Sequence, residues 1–308
     1  MSDGRADIKA QGKAIVQFFA EEKIAAGSMS KAEHIEQLRK QAGRIRRLVL
    51  ETCHHAGCGH TGGSLSAVEI LTVLYFHVLR VDPSDPRKLD RDRYVQSKGH
   101  ASPTYYAALA ERGFFPVEEL KTFDQIDSRL QGHPCMRRTP GVDFSTGSLG
   151  QGLSGAIGMA LARDRLGLDF DVYCLLGDGE CQEGQVWEAA MYAGVHRIRN
   201  LVAIVDRNRV QLAETVAKTL DLEPFADKWK AFRWQVGRCD GHDVAALVAA
   251  LDEAKGAARS GPFVLIADTV KGRGVSFMEG QYAWHGKAPN DEEFERAMRE
   301  LEGRHEGR

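Results

Sequence analysis

No stretch of this 308-residue chain stays apolar long enough to cross a bilayer as a helix. The N-terminal run MSDGRADIKAQGKAIVQFF carries charges where a secretory signal needs an apolar core. Neither sign of charge is in excess: the formal net charge is −2, with acids and bases interspersed. That excludes the basic stripe of a nucleic-acid binder and the polybasic patch of a membrane-surface protein. Six cysteines without regular spacing make no disulfide framework and read as reduced thiols. Internal repeats, low-complexity tracts and a clear linker are lacking too. What is left is a cytoplasmic protein with no nucleic-acid or membrane partner and 43% hydrophobic residues to fill a core.

The pattern that is present alternates. Residues 8 to 26 read as a short amphipathic helix, and a longer one runs from Ala32 to Ala56, with Ile35, Leu38, Ile45, Leu48 and Val49 at helical spacing. SLSAVEILTVLYFHVL reads as a buried helix with Ser66 as its N-cap. Beyond it, RYVQSKGH, DVYCLLGDG, LVAIVD, RWQVGRC and PFVLIADTV have strand length. Helical patterns separate them: PTYYAALAERG, VEELKTF, and stretches from Leu149 to Leu166, Gln185 to His196 and His242 to Ala258. Strands alternating with helices predict an α/β fold, a doubly wound parallel sheet with helices on both faces. The expected division is an N-terminal helical extension over 1–31 and one domain over 32–308.

In such a sheet ligands bind beyond the carboxyl ends of the strands. Two strand ends are conspicuous: Gly177-Asp178-Gly179, and Asp206 with Asn208. Together they offer a carboxylate and a carboxamide to one spot, a donor set suited to Mg²⁺ holding a diphosphate. The stretch CHHAGCGHTGG raises another possibility. It packs Cys53, His54, His55, Cys58 and His60 into eight positions, as a zinc site would, but no second cluster of that kind supplies further ligands.

Asn208 follows the GDG after 28 intervening residues. That interval resembles the thiamine-diphosphate metal motif, and the chain as a whole resembles the diphosphate-binding, N-terminal half of transketolase, from about Gln37 onward. The resemblance rests on CGHTGGSLS, SKGHASP, QGHP, STGSLGQGLS, GDGECQEGQVWEA, DRNRVQ, CDGHD, TVKGRG and WHGKAP, in family order. It implies transfer of a two-carbon ketol unit from a ketose phosphate to an aldose phosphate through thiamine diphosphate and Mg²⁺, with Ca²⁺ or Mn²⁺ as substitutes. It implies metal ligands Asp178, Asn208 and the Val210 carbonyl. Cofactor contacts would come from Gly147, Leu149, Gly177, Asp178, Gly179, Asn208, His100 and Lys271. Catalytic roles fall to His60 and His285 for proton removal, His133 for a donor hydroxyl, and His100 near diphosphate and donor. Ser148 stands where the family commonly has proline. Lys287 matches a second lysine near the site, and Glu183 and Glu188 match acids at the subunit interface.

The pyrimidine-binding domain, which in the family supplies the activating glutamate, has no counterpart before Arg308. The implied assembly is therefore a split enzyme: this chain with a C-terminal transketolase subunit carrying that domain, two plus two, inactive alone. The competing readings are a split enzyme for a branched or sulfonated ketose, another thiamine enzyme class, and a non-catalytic regulatory subunit.

Overall fold

The computed structural model describes residues 29–255 and 260–306; the expected helix over 8–26 lies outside them. Helix α1, Lys31–Ala56, opens on a capping box. Ser30 accepts from the Glu33 backbone N–H, and the Glu33 carboxylate accepts from the Ser30 N–H. It closes on Gly57 in the left-handed region (φ 63°), with His54 and His55 in its last turn. Ile35, Leu38, Ala42, Ile45 and Val49 bury one stripe of it.

Five parallel strands follow: β1 Arg93–Gln96, β2 Val172–Gly177, β3 Leu201–Arg207, β4 Gln235–Asp240 and β5 Phe263–Asp268. Their spatial order is β1-β2-β3-β5-β4. Side chains alternate between two apolar cores. Tyr173, Leu175, Val202, Ile204 and Leu265 enter the core shared with α1; Cys174, Leu176, Ala203, Val205 and Ile266 enter the other. That is why the inner strands read as unbroken apolar runs.

On the second face lie α5 (Gln151–Leu166), α6 (Gly184–Val195) and α8 (Phe225–Ala231). The first face carries α2 (Thr61–Ser66), α3 (Val68–Val73), α4 (Ser102–Arg112), α9 (Val244–Lys255) and α10 (Asp291–Glu306). A short helix, α7 (Val216–Leu220), follows β3. The chain steps outward from β2 to β3 and on to β4 with α6 and α8 on one face, then back to β5 with α9 on the other. Right-handed crossovers require the helix to change face when the direction reverses. No helix among the described residues is long and apolar enough to cross a membrane.

Several sequence expectations are corrected. The helix expected from Ser66 is broken: Thr61–Ser66 and Val68–Val73 are separate, and Leu74–Val78 forms a π turn. Ser66 is no cap. It is fully buried, and its hydroxyl lies 2.6 Å from Asp206 Oδ2. The short helix expected at VEELKTF is present as a 3₁₀ segment over residues 117–122. Helix α5 starts at Gln151, because Gly150 is left-handed (φ 81°), so Leu149 stays in the loop before it.

Candidate active site

The carboxyl ends of the strands carry the chemistry, and each end is shaped by its neighbours. Gly177 at the end of β2 pairs with Asp206 in β3. The Asp178 carboxylate accepts backbone N–H bonds from Gly179 (2.9 Å) and Arg209 (2.6 Å), which ties the two strand ends together. Asn208 Oδ1 accepts from the Val210 N–H at 3.1 Å. Asp178 and Asn208 are both buried. Burial, then the neighbouring Asp206 carboxylate, pushes the Asp178 carboxyl up to about 6. A buried carboxylate tied to the turn that carries the Asn208 amide oxygen offers hard oxygen donors. They fit an oxygen-seeking divalent cation.

Four histidines converge from four separate loops. The His60 ring centroid lies 5.1 Å from that of His100, 5.4 Å from His285 and 6.5 Å from His133; His100 and His285 are 5.1 Å apart. Lys271 Nζ donates to His285 Nδ1 at 2.7 Å. Gly147 lies against the fourth: a Cβ there would sit 3.3 Å from the His133 ring. Gly62 lets two loops meet, since a Cβ on it would lie 2.8 Å from the Trp284 carbonyl oxygen.

Burial, followed by the other imidazoles and lysines, sets the charge. It lowers His60, takes His100 well below the ordinary imidazole value, and brings His285 down to about 3, with Lys271 the next cause for His285. These three rings are neutral at pH 7. Lys271, 1% exposed, is lowered to about 8 by burial and then by Lys98. Its amine is bonded to a neutral imidazole rather than a carboxylate, so the floor of the cluster holds a buried cation awaiting an anion. That suits a diphosphate.

Sequence reading passed over much of what holds these groups. Lys98, 1% exposed, reaches Asp206 Oδ2 at 2.5 Å and the Gly63 carbonyl at 3.0 Å. Asp206 also accepts from Ser66 and from Thr269. Burial alone would push Asp206 up, yet Lys98 and these hydroxyls hold it below the ordinary carboxylate value. Glu180 is the second omission. One of its oxygens accepts from Ser97 Oγ (2.5 Å) and the Gly150 N–H (2.9 Å), the other from the Gly177 N–H (3.0 Å). It thereby joins the loop bearing Gly147 and Leu149 to the loop bearing Asp178. The third is His242 of CDGHD, whose Nε2 accepts from the Val270 N–H at 2.8 Å while Nδ1 meets Glu69 at 3.0 Å. It braces the residue before Lys271. The only signal was motif membership, because the partners are remote in sequence.

The stretch from Cys53 to His60 disperses. Cys53 is fully buried, the Cys58 thiol donates to Asp124 at 3.4 Å, and His54 meets Asp291 at 2.8 Å and stacks on Phe294. Only His60 turns into the histidine cluster. Lys287 pairs with Glu293 and lies over the Trp284 ring. Glu183 and Glu188 are exposed.

A parallel sheet with a buried carboxylate–amide pair, a buried lysine and neutral histidines at its carboxyl edge defines a diphosphate-binding α/β chain. Similarity to known proteins carries this further. Residues 37–306 match the family model described as transketolase, thiamine diphosphate binding domain, and the chain belongs to the transketolase family. It is 46% identical over 265 residues to the 6-deoxy-6-sulfo-D-fructose transketolase subunit of Clostridium sp. (strain MSTE9), covering 86% of this chain and 96% of that one. Over 268 residues it is 45% identical to an apulose-4-phosphate transketolase subunit of Actinobacillus succinogenes, covering 86% and 96%. The crystal structure of Campylobacter jejuni transketolase superposes with a TM-score of 0.81 at 34% identity, over 86% of this chain but 42% of that one.

Proposed function

We propose that this chain is the diphosphate- and metal-binding subunit of a two-chain transketolase, acting in the cytoplasm with a C-terminal subunit that carries the pyrimidine-binding domain. The observation that carries the reading is that the neutral His60–His100–His285 cluster with buried Lys271 lies close enough to the Asp178 strand end for the Asp178 charge to act on Lys271. The relatives that this chain nearly spans are themselves named as subunits, which supports a second chain. Six unpaired thiols suit a reducing compartment.

Asp178, Asn208 and the Val210 carbonyl would hold Mg²⁺. Lys271 and His100 would face the diphosphate, with Gly177 and Gly179 letting the backbone approach it and Gly147 and Leu149 bordering the ring system. When bound, thiamine diphosphate supplies the electron sink that lets a ketose break between its carbonyl and carbinol carbons. His60, neutral at pH 7, is able to take the hydroxyl proton as that bond breaks and to return it to the acceptor. His285, whose Nδ1 accepts from Lys271, would keep its proton on Nε2 and donate a hydrogen bond to a substrate oxygen as charge develops there. His133, more exposed at the rim, would hold a donor hydroxyl. Self-association into two plus two is supported by the outer side of α6, where Met191, Tyr192 and Val195 are 50%, 44% and 56% exposed beside Glu188.

The substrate reading has a second form, favoured by the names of the two relatives: a sulfonated or branched ketose in place of xylulose 5-phosphate. One experiment separates the possibilities. The tagged chain is isolated gently from its native cells and assayed with thiamine diphosphate and Mg²⁺. Donors are xylulose 5-phosphate, 6-deoxy-6-sulfofructose and apulose 4-phosphate, with a pyruvate-decarboxylation control. Ketol transfer that travels with a second chain is the expected result, and the preferred donor names the substrate. Full turnover by the rigorously pure single chain, or pyruvate decarboxylation alone, overturns the proposal.

A further inference from the structure

A second cavity, of about 520 Å³, lies away from the strand carboxyl ends, at the amino end of edge strand β1. Arg87, Arg91, Arg93, Arg137 and Arg138 all line it, against the single carboxylate of Asp143. That carboxylate is already committed: it pairs with Arg91, lies 3.9 Å from Arg93 Nε, and accepts the Tyr94 backbone N–H at 2.9 Å. Arg93 spends its other nitrogens on the Arg91, Lys88 and Leu89 carbonyls. Burial and then the adjacent Arg91 lower Arg93 from its usual range, as crowding of like charge would. Arg87, Arg137 and Arg138 are exposed, and no carboxylate lies within ion-pair reach of them among the described residues.

Asp143, with Asp92 and Asp90 nearby, offsets part of the charge of Arg91 and Arg93, and the three exposed guanidiniums leave the wall of the cavity net positive. An anion entering it would offset that charge and meet planar, forked donors that match phosphate oxygens. The volume is in the range of small-ligand sites. We infer that this cavity is a binding site for a small multiply phosphorylated molecule, separate from the catalytic diphosphate site. Its floor is the rigid Arg91–Asp143 pair, and its clasp is the three free arginines. The loop that carries Arg137 and Arg138 is itself anchored, since the Thr146 N–H donates to the Pro134 carbonyl at 3.2 Å and the Met136 N–H to Ser145 Oγ at 3.0 Å. The backbone that presents Arg137 and Arg138 is therefore fixed before a ligand arrives.

The test is calorimetric titration of the full chain, saturated with thiamine diphosphate and Mg²⁺, with 2,3-bisphosphoglycerate, at low and at physiological salt. This probe is neither ketose nor aldose, so it is no donor or acceptor for ketol transfer. One-to-one binding is expected, weaker at the higher salt. It should fall at least about tenfold in the triple variant R87A/R137A/R138A, the loss of roughly one charge-assisted bond or more. The variant R137K/R138K, which keeps charge and surface, guards against a folding artefact and should retain part of the affinity. Ketol-transfer activity of the assembled enzyme should be unchanged in both. Equal affinity in the triple variant would send the anion to the catalytic floor instead and overturn the site. Absence of binding at either salt overturns it as well. If the triple variant loses the partner chain while the wild-type chain ignores the probe, the cavity is a protein contact and the inference fails.

Discussion

Asp178 is the residue on which the proposed metal site and the fold meet, and its charge has two opposite consequences. Its folded value near 6 lies above the ordinary carboxylate value of 3.8, so without metal the folded state holds the proton more tightly than the unfolded state. As pH rises from about 4 to above 6, ionising this buried group destabilises the chain. Asp178→Asn removes that charge but sets an amide nitrogen against one of the two backbone N–H groups. The melting temperature of the metal-free variant should therefore fall less between pH 4 and pH 8 than that of the wild-type chain, whatever its absolute value. The same variant should lose Mg²⁺-dependent thiamine diphosphate binding, about a hundredfold or more. Melting curves with and without Mg²⁺ at the two pH values decide both. His285 works in the other direction. Its folded value near 3 lies below the unfolded imidazole value of 6.5, so its contribution is intact above 6.5 and is lost as pH falls toward 3. His285→Gln should flatten the acid limb of the stability profile, read by urea midpoints between pH 4 and 7, while lowering ketol-transfer kcat. An unchanged limb would mean that the ring is not desolvated as described.

The elements matter here chiefly through what joins their ends. Lys98 leaves β1 and Asp206 ends the buried part of β3, and their pair is fully enclosed by Ser66 and Thr269 from two further segments. Removing only the cation strands a buried carboxylate. Lys98→Met should cost about 3–5 kcal/mol in urea unfolding, and adding Asp206→Asn should recover part of it. Equal stability of the single and double variants would show the pair to be uncoupled. The helix break at Ala67 serves the same junction, because it turns Ser66 toward Asp206 instead of leaving it as a cap. At the loop contact, Gly62→Ala would force the Trp284 carbonyl, and with it His285, away from His60. About 1–3 kcal/mol of overpacking is expected, together with a kcat loss that excess cofactor does not restore. Unfolding curves and cofactor-saturated turnover measure the two parts.

For the whole molecule the testable surface is the outer side of α6. Met191→Asp with Tyr192→Asp should shift the assembled enzyme to half its mass in sedimentation velocity without unfolding the chain, since both side chains are half exposed. An unchanged mass would move the self-association face elsewhere.

Much of this architecture was legible in the residues. Apolar runs bounded by glycine, aspartate or proline marked four of the five strands, and RYVQ ahead of its SKGH loop marked β1. Glycines beside His60, His100, His133 and His285 marked the loops, and the interval from GDG to Asn208 marked the two strand ends that meet. These signals are local: backbone propensity, apolar periodicity and motif spacing act within a few residues, or within one strand–helix–strand unit. Tertiary structure decided the rest. It decided that Ser66, Lys98 and Thr269 share Asp206, that Glu180 binds two loops, and that His242 braces the Lys271 segment. It also brought five arginines around one aspartate at the far end of β1. Each of these depends on groups tens of residues apart coming within hydrogen-bond or lining distance. Their charge states follow from burial, which no single stretch of chain carries on its own.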